Sequence, residues 1–358
     1  MSRLAMNWGK WTTKALAHLE MTRPYTMFHA GLVAIAGIEV ASGGHVAVWR
    51  TTLAALVTMC GWEAGLYAGD YYDRELDARS KPARPVPSGR VSAREAFLTM
   101  VGLIGAGYVC ALALGAANLA LAIVTTALGI AYAKTFKGRA LLGNFDRGVL
   151  GVCATLFGAL AGGSVLQPAV LVLAALVFCH DSATNLVGAI RDVDGDRAAG
   201  CQTVPVVYGV VRAVEIVSGL ALCWAILGCM LMRRLHPAPL ALVLFAGALL
   251  IAIAVYVPLW IGRRAVSRRW ALNAHKYLVV ERLVLMSAVI AADAPAPAAL
   301  GLLAATLVAS IGAQALLRER YEQQATGVRR QASGIGSVPS HTAAATGTVP
   351  TDKLIADR

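Results

Sequence analysis

Long apolar stretches dominate the chain, each about twenty residues in length and separated from the next by a short polar segment. A helix needs about 20 predominantly apolar residues to cross the hydrocarbon core of a bilayer. The length of the stretches and the lack of short alternating segments favour helices over strands. The pattern therefore predicts an all-α, polytopic membrane bundle of nine to ten helices. We place ten spans, near residues 25–42, 48–69, 93–114, 117–134, 146–165, 168–190, 209–231, 238–261, 275–292 and 297–317.

Composition and charge place the chain in a membrane. Of the 358 residues, 58% are hydrophobic and 15% are charged, whereas soluble domains carry about 25% charged residues. The net charge of +12 is concentrated in every second loop, and cytoplasmic loops are the ones enriched in Lys and Arg. We therefore predict a multi-pass protein of a bacterial-type inner (cell) membrane with both termini and the acidic motifs on the cytoplasmic side. Ten spans satisfy this arrangement, whereas nine would place the basic tail outside.

The chain divides into three parts. Residues 1–24 are a cytoplasmic segment without the features of a cleavable signal peptide, and they can form an amphipathic helix on the inner surface. Residues 25–320 are the transmembrane domain. Residues 321–358 are rich in Gly, Ser, Thr, Ala and Gln, which predicts a disordered tail. Basic residues are spread over membrane-proximal loops, which argues for lipid and against nucleic acid as a partner.

Two acidic clusters stand at the ends of apolar stretches, where carboxylates are costly and usually functional. They comprise Asp70, Asp73 and Asp77, and Asp192, Asp194 and Asp196. The first three share one helical face, as do Asp192 and Asp196, whereas Asp194 points away. Facing carboxylates repel each other unless cations lie between them. Because a few hard oxygen ligands suit Mg²⁺, which also bridges to substrate phosphates, the clusters predict a metal-diphosphate site.

Basic residues next to the acidic clusters are candidates for diphosphate binding. Prolines and a glycine make the loop after the first cluster stiff and non-helical. Its cations are suited to neutralise the diphosphate oxygens that the metal leaves free, although some of them serve topology alone. The candidates are Arg79, Lys81, Arg84 and Arg90, with Arg191 beside the second cluster.

Polar residues inside the spans extend the acidic faces into the membrane. Glu63 and Tyr67 line up with Asp70 at helical spacing, and Asp181 and Asn185 share a stripe with the second cluster. A satisfied polar contact between helices is the common role of such residues. A contact to the substrate is the alternative that we keep for these four positions.

The acidic motifs resemble those of the UbiA superfamily of intramembrane prenyltransferases. The resemblance rests on Asp70-Tyr-Tyr-Asp73-Arg-Glu-Leu-Asp77 running into Arg84-Pro-Val-Pro-Ser-Gly-Arg90, and on Asp192-Val-Asp-Gly-Asp196-Arg197 running into Thr203-Val-Pro205. Thr22-Arg-Pro-Tyr25 and the loop with Tyr132 and Lys137 also match, so that residues 20–290 are covered. The resemblance implies a helical bundle around a central cavity, in which Mg²⁺ bridges the two motifs and holds an isoprenyl diphosphate.

The resemblance also implies roles for single residues. The metal ligands would be Asp73, Asp77, Asp192 and Asp196, with Asp70 as an additional one. Tyr132 and Lys137 would belong to a loop that closes over the diphosphate, although an interfacial aromatic and a snorkelling lysine also explain them. Arg23 and Asn144, in the matching segments, are further substrate-binding candidates.

Two features depart from the family pattern. A tenth span exceeds the usual nine, and Gly69 stands where family members usually have Asn. This glycine either marks a missing metal ligand or makes room for a bulky donor or a close helix.

The implied reaction is ionisation of an isoprenyl diphosphate to an allylic cation. Mg²⁺ and basic side chains take up the charge of the leaving group, and apolar walls exclude water until an acceptor captures the cation. We expect a lipophilic or aromatic acceptor, such as a quinone precursor. A terpene cyclase of the same superfamily is one alternative, and a transporter that uses the carboxylates as an ion relay is another.

The charge pattern yields a test of topology. In a cysteine-free background, a membrane-impermeant thiol reagent added from outside should label single cysteines at Gly43 and Ala296 and miss those at Ser88 and Gly195, because the latter loops are the basic ones. Permeabilised cells, in which all four positions should react, are the control. Labelling of the C-terminal tail from outside would contradict ten spans and restore nine.

Overall fold

The all-α prediction is confirmed by the computed structural model, which describes residues 3–318. The helices are α1 (Arg3–Thr22), α2 (Pro24–Ser42), α3 (Val48–Tyr72), α4 (Arg74–Ser80), α5 (Ala93–Leu114), α6 (Ala116–Ala131), α7 (Ala140–Gly162), α8 (Pro168–Ala198), α9 (Val204–Val207), α10 (Gly209–Leu235), α11 (Pro239–Ile261), α12 (Arg268–Ile290) and α13 (Ala296–Ala313). Two π-helical segments, Tyr132–Phe136 and Gln314–Arg318, extend α6 and α13, and a short strand β1 (Gln202–Thr203) follows α8. The predicted disordered tail, 321–358, lies outside the described residues.

Of the eleven helices with 16 or more residues within residues 3–318, all but α1 coincide with the ten predicted spans. Eight of these ten have both the length and the apolar composition to cross a membrane, which confirms a multi-pass membrane bundle. The other two, α3 and α12, have 25 and 23 residues but carry more charge. Their charged side chains include Glu63, Glu281 and Arg282, which are buried between helices. The number of spans and the orientation of the termini stay predictions.

Two helices begin earlier than the apolar pattern predicts. Helix α7 starts at Ala140 instead of residue 146, and α12 starts at Arg268 instead of residue 275. The additional turn of α7 carries Asn144, which is buried and donates a hydrogen bond to Asn185 of α8 over 2.7 Å. The apolar pattern misses such turns because they contain polar groups, whose hydrogen-bond partners lie on other helices.

Glycines allow helix α7 to touch its neighbours at backbone distance. A Cβ on Gly158 would lie 2.0 Å from the carbonyl oxygen of Ala34 in α2, and one on Gly37 would lie 2.3 Å from that of Thr155. On the other side of α7, a Cβ on Gly151 would lie 2.7 Å from the carboxylate of Asp181 in α8. Small residues permit this close approach, which stabilises membrane helices through van der Waals contact.

Helix α8 carries the second acidic cluster beyond the apolar layer. It has 31 residues and is therefore about 46 Å long, against about 30 Å of hydrocarbon. The helix packs against α2, α7, α10 and α12, so that its first five turns are fixed inside the bundle. Its last turns, with Asp192 and Asp196, extend toward the loops between α3 and α5 and between α6 and α7.

Helix α1 packs against this same end of the bundle. Ala17 and Met21 are fully buried beside Tyr67 of α3, and Glu20 forms an ion pair with Arg90 over 2.7 Å. The link to α2 is Arg23, whose backbone adopts the left-handed conformation (φ 42°) that L-residues rarely use. The second half of α1 thus contacts the bundle, and the placement of the N-terminal segment on the membrane surface stays a prediction.

The contact between α2 and α7 predicts a large effect of a single methyl group. Gly158→Ala should lower the midpoint of thermal unfolding in detergent, because its Cβ would overlap backbone that cannot move aside, and overpacking costs about 1–3 kcal/mol. Gly105→Ala in α5 is the matched control, since nothing lies within 4 Å of its Cβ position. Equal midpoints for the two variants, followed by tryptophan fluorescence, would contradict the close contact.

Candidate active site at the loop end of the bundle

The first acidic cluster spans the junction between α3 and α4. Asp70 lies on α3, Asp73 stands at the junction, and Asp77 lies on α4. Helical hydrogen bonds continue through the junction, from Asp73 N–H to Gly69 O over 2.9 Å and from Asp77 N–H to Asp73 O over 2.7 Å. The three carboxylates therefore keep the common orientation that helical spacing predicts, and Asp70 and Asp77 are each 3% exposed.

Basic side chains from three parts of the chain meet the first cluster. Arg84 lies 2.5 Å from Asp77 and 3.8 Å from Asp70. Arg23, at the start of α2, lies 2.8 Å from Asp70. Lys137, beyond the π segment of α6, lies 2.5 Å from Asp73. Each carboxylate is thus compensated by a cation, as its low exposure requires.

The second cluster occupies the last turns of α8. Asp192 forms a bidentate ion pair with its neighbour Arg191, at 3.0 and 2.6 Å. Asp196 accepts a hydrogen bond from the hydroxyl of Thr203 over 3.0 Å. Asp194 is exposed and lies 3.7 Å from Arg197, so it points away from the other two, as the helical spacing predicts.

Lys81 and Lys137 lie between the two clusters. Burial and the nearby positive charge of Arg84 lower the pKa of Lys81 to about 8. The carboxylates of Asp192 and Asp77 raise this pKa, but they offset only part of the decrease. The carboxylate of Asp73 holds the pKa of Lys137, whose side chain is half exposed, above its usual value. Because Lys81 interacts with both clusters, the two groups of carboxylates face each other across these lysines.

A short backbone pairing fixes the two loops that carry these groups. Residues 139 and 140 pair in parallel with residues 202 and 203, and the N–H of Gln202 donates to the carbonyl of Gly138 over 2.9 Å. This pairing places Ala140 beside Thr203, whose hydroxyl donates to Asp196. The chain segments after α6 and after α8 therefore form one side of the site.

A chain of side-chain hydrogen bonds leads from the loop into the bundle. Asn185 donates to the hydroxyl of Tyr132 over 3.2 Å and accepts from Asn144 over 2.7 Å. Three of the predicted site residues, from the π segment, α7 and α8, are thus joined directly. Asn185 is partly exposed, whereas Asp181, one turn deeper on α8, is buried.

The remaining candidates lie at different distances from the two clusters. The side chain of Arg79 is exposed, and Arg90 pairs with Glu20 and with the carbonyl of Ala83, which orders the loop. Tyr67 bonds to His18 of α1 over 2.9 Å. Glu63 is buried, and neither of its carboxylate oxygens has a hydrogen-bond partner within residues 3–318.

The structure removes one of the explanations for Gly69. No atom lies within 4 Å of the position that a Cβ would take, so the glycine is required neither by a close helix nor by a crowded backbone. A close helix approach is therefore not the reason for this glycine, whereas a missing metal ligand and room for a bulky donor both stay predictions. Gly69 instead leaves open space one turn before Asp73.

Sequence reasoning missed a second polar group deep in the bundle. Its members are His29 of α2, Glu281 and Arg282 of α12, Arg147 of α7 and Trp62 of α3, which surround His180 and Asp181 of α8. Charged and imidazole groups in apolar spans were the available signal. The sequence did not reveal that residues from five helices converge.

The acidic donor set fits a divalent cation. Carboxylates from two opposed helix ends supply the hard oxygen ligands that Mg²⁺ prefers, and basic side chains stand ready for phosphate oxygens. A cavity of about 410 Å³ lined by Ile35, Glu39, Val46 and Ala298 lies near the opposite ends of α2 and α3. It is therefore separate from this site.

The chain is similar to known proteins over most of this architecture. A model of the UbiA prenyltransferase family matches residues 30–280. A digeranylgeranylglyceryl phosphate synthase of Natronomonas pharaonis is 35% identical over 201 residues, which cover 56% of this chain and 72% of that protein. The enzyme of the same name from Thermococcus kodakarensis is 33% identical over 200 residues, with the same coverages of 56% and 72%.

Solved structures share the fold. The apo structure of a UbiA homologue from Aeropyrum pernix has a TM-score of 0.64 at 19% identity and covers 74% of this chain and 96% of its own. A UbiA homologue from Archaeoglobus fulgidus, bound to DMAPP and Mg²⁺, has a TM-score of 0.59 at 18% identity, with coverages of 75% and 99%.

The open space at Gly69 predicts that an oxygen ligand can be added there. Gly69→Asn should fold normally and bind Mg²⁺ with inorganic diphosphate more tightly, because an Asn at this position lies four residues before Asp73 on the same face. The measurement is thermal stabilisation at increasing Mg²⁺ with fixed diphosphate. Gly69→Ala, which fills the same space without an oxygen, is the control. An unchanged Mg²⁺ midpoint in Gly69→Asn would contradict the prediction.

Proposed function

Because the chain belongs to the UbiA prenyltransferase family, we propose that this prenyltransferase moves an isoprenyl group from an isoprenyl diphosphate to a hydroxyl group of a lipophilic acceptor. The single observation that carries the donor half is the convergence of two carboxylate clusters on one basic centre. The hydroxyl acceptor is supported by the relatives named digeranylgeranylglyceryl phosphate synthase, since a glyceryl phosphate presents hydroxyl groups. The aromatic acceptor expected from the sequence remains the alternative outcome of the assay.

In the proposed reaction, each part of the site has one task. Mg²⁺, when bound, would be held by Asp70, Asp73 and Asp77 and by Asp192 and Asp196, and would supply charge neutralisation for the diphosphate. Lys81, Arg84 and Lys137 would then exchange carboxylate partners for diphosphate oxygens. Cations already positioned near the leaving group lower the barrier without reorganisation at the moment of reaction.

The loop with Tyr132 would cover the diphosphate. Its hydrogen bond to Asn185, and the bond from Asn144 to Asn185, tie the loop to α7 and α8 below the carboxylates. Such a cover excludes water, which would otherwise capture the allylic cation. Retention of all five aspartates favours transfer over the cyclase alternative, and family membership leaves the transporter interpretation without support.

The proposed transfer can be tested by product formation in isolated membranes. Membranes from cells that express the protein, incubated with Mg²⁺ and a panel of isoprenyl diphosphates, should prenylate a lipid alcohol, and membranes from cells with an empty vector should not. Prenylation of an aromatic acceptor alone would contradict the hydroxyl acceptor. A terpene formed without acceptor would favour the cyclase.

Substitution of single aspartates tests the paired carboxylate clusters, and Asp194 supplies the matched control. Asp73→Asn and Asp196→Asn should each lower the rate by about 100-fold or more, because the leaving group loses its electrostatic stabilisation. Asp194→Asn should stay within a few-fold of the wild type, since Asp194 faces solvent beside Arg197. Comparable rates for all three variants at equal protein levels would contradict the paired-cluster site.

A further inference from the structure

A buried dyad of His29 and Asp181 lies below the diphosphate site. Asp181 stands eleven residues before Asp192 on α8, which corresponds to about 16 Å along the helix axis. The Nε2 atom of His29 lies 2.9 Å from Oδ1 of Asp181, and the two side chains are 2% and 4% exposed. A residue of α2 thus reaches across the bundle to a residue of α8 at the level of the membrane interior.

The hydrogen bond sets the tautomer of His29. An ionised carboxylate can only accept, so the proton of the imidazole resides on Nε2 and the lone pair is on Nδ1. Nδ1 is buried and has no hydrogen-bond partner within residues 3–318. A histidine that is oriented by a carboxylate on one nitrogen and carries an unprotonated, unpartnered second nitrogen has the arrangement of a general base.

Surrounding groups hold the dyad in place and balance its charge. His180 bonds through Nε2 to Glu281 over 2.7 Å, and its Nδ1 lies 3.7 Å from Asp181. The positive charge of Arg282 on α12 interacts electrostatically with His29. The positive charge of Arg147 on α7 interacts in the same way with Asp181 and with Asp146. The guanidinium of Arg147 stacks on Trp62 of α3 at 4.1 Å from the ring centroid.

A line of partly exposed positions on one face of α3 runs from the first acidic cluster toward this level. On α3, the line consists of Trp62, Leu66, Gly69 and Asp73, which are spaced by four, three and four residues and are all partly exposed. No atom lies within 4 Å of a Cβ at Gly69. At the inner end, Trp62 bonds to Thr26, which lies one turn before His29 on α2, over 3.0 Å.

From this arrangement we infer that His29 is the base that removes the hydroxyl proton of the acceptor, a role that rests on the proposed function. The oxygen of the acceptor forms a bond to C1 of the allylic cation, which is released when the bond from C1 to the diphosphate oxygen breaks. The electron pair of that bond leaves with the diphosphate, and the hydroxyl proton moves to Nδ1 of His29. Asp181 is a positioning residue that stabilises the resulting imidazolium.

The same three side chains also present a possible set of metal ligands. His29, His180 and Asp181 each offer one ligand atom, and these atoms lie within 4.8 Å of one another. A base and a metal ligand make different demands on His29, because a ligand nitrogen is not available for a proton. The metal content of the purified protein therefore belongs to the test.

The experiment compares His29→Gln with the wild type and with His45→Gln, which changes an exposed histidine in the loop after α2. Glutamine retains a donor for Asp181 but cannot take up a proton. We expect His29→Gln to bind Mg²⁺ and inorganic diphosphate as the wild type does, by thermal stabilisation, and to lose about 100-fold or more in kcat with an alcohol acceptor. Replacing the alcohol by the corresponding thiol, which ionises more readily, should restore most of the rate. His45→Gln should match the wild type.

A second measurement on the wild type does not depend on the folding of a variant. The kcat for the alcohol should be lower in D₂O than in H₂O, because the particle that His29 removes is then a deuteron, while diphosphate binding stays constant. An equal kcat in H₂O and D₂O, an unaltered kcat in His29→Gln, or a transition metal that the wild type retains and His29→Gln lacks would each overturn the inference. Absence of product with every acceptor in the wild type would instead reject the proposed function.

Discussion

Compensation of carboxylate charge at the edge of the apolar layer is the constraint on which the rest of the structure depends. Asp70, Asp77 and their neighbours cannot remain ionised beside hydrocarbon unless cations come close to them. Those cations are supplied by Arg23, Arg84 and Lys137, which lie far apart in the sequence. The start of α2 and the two loops therefore lie at one end of the bundle. The second acidic cluster, in the last turns of α8, lies at the same end.

Close helix packing determines which polar groups can meet in the interior. Helix α7 contacts α2 through Gly158 and Gly37, and it contacts α8 through Gly148 and Gly151. A side chain at any of these positions would push the neighbouring helix away by a distance comparable to a methyl group. The hydrogen bond between α2 and α8 that joins His29 and Asp181 has a length of 2.9 Å, and it tolerates no such displacement.

The two polar levels of the bundle differ in their chemistry. The level at the loops is rich in carboxylates and in cations that are mostly partly buried, and it suits a divalent metal and a highly charged diphosphate. The inner level combines imidazoles with carboxylates and guanidiniums that are largely buried, and it suits proton transfer in a medium of low polarity. Their separation by about 16 Å along α8 leaves room between them for the reacting carbon and the acceptor.

The sequence by itself determined the helical class, ten of the long helices and the residues of the acidic site. Apolar length reflects the thickness of the bilayer, and helical spacing puts Asp70, Asp73 and Asp77 on one face; both are local properties that need no knowledge of other helices. Even the outward direction of Asp194 followed from spacing on α8.

Only the tertiary structure decided which distant groups meet. It placed the second half of α1 against the bundle, moved the beginnings of α7 and α12 outward, and revealed that Gly69 faces open space. It also joined His29 to Asp181, a pair 152 residues apart. In a hydropathy profile such residues only lower the apolar character of a span. Their burial is stabilised by hydrogen bonds and ion pairs with residues on other helices, and these partners are known only from the packed structure.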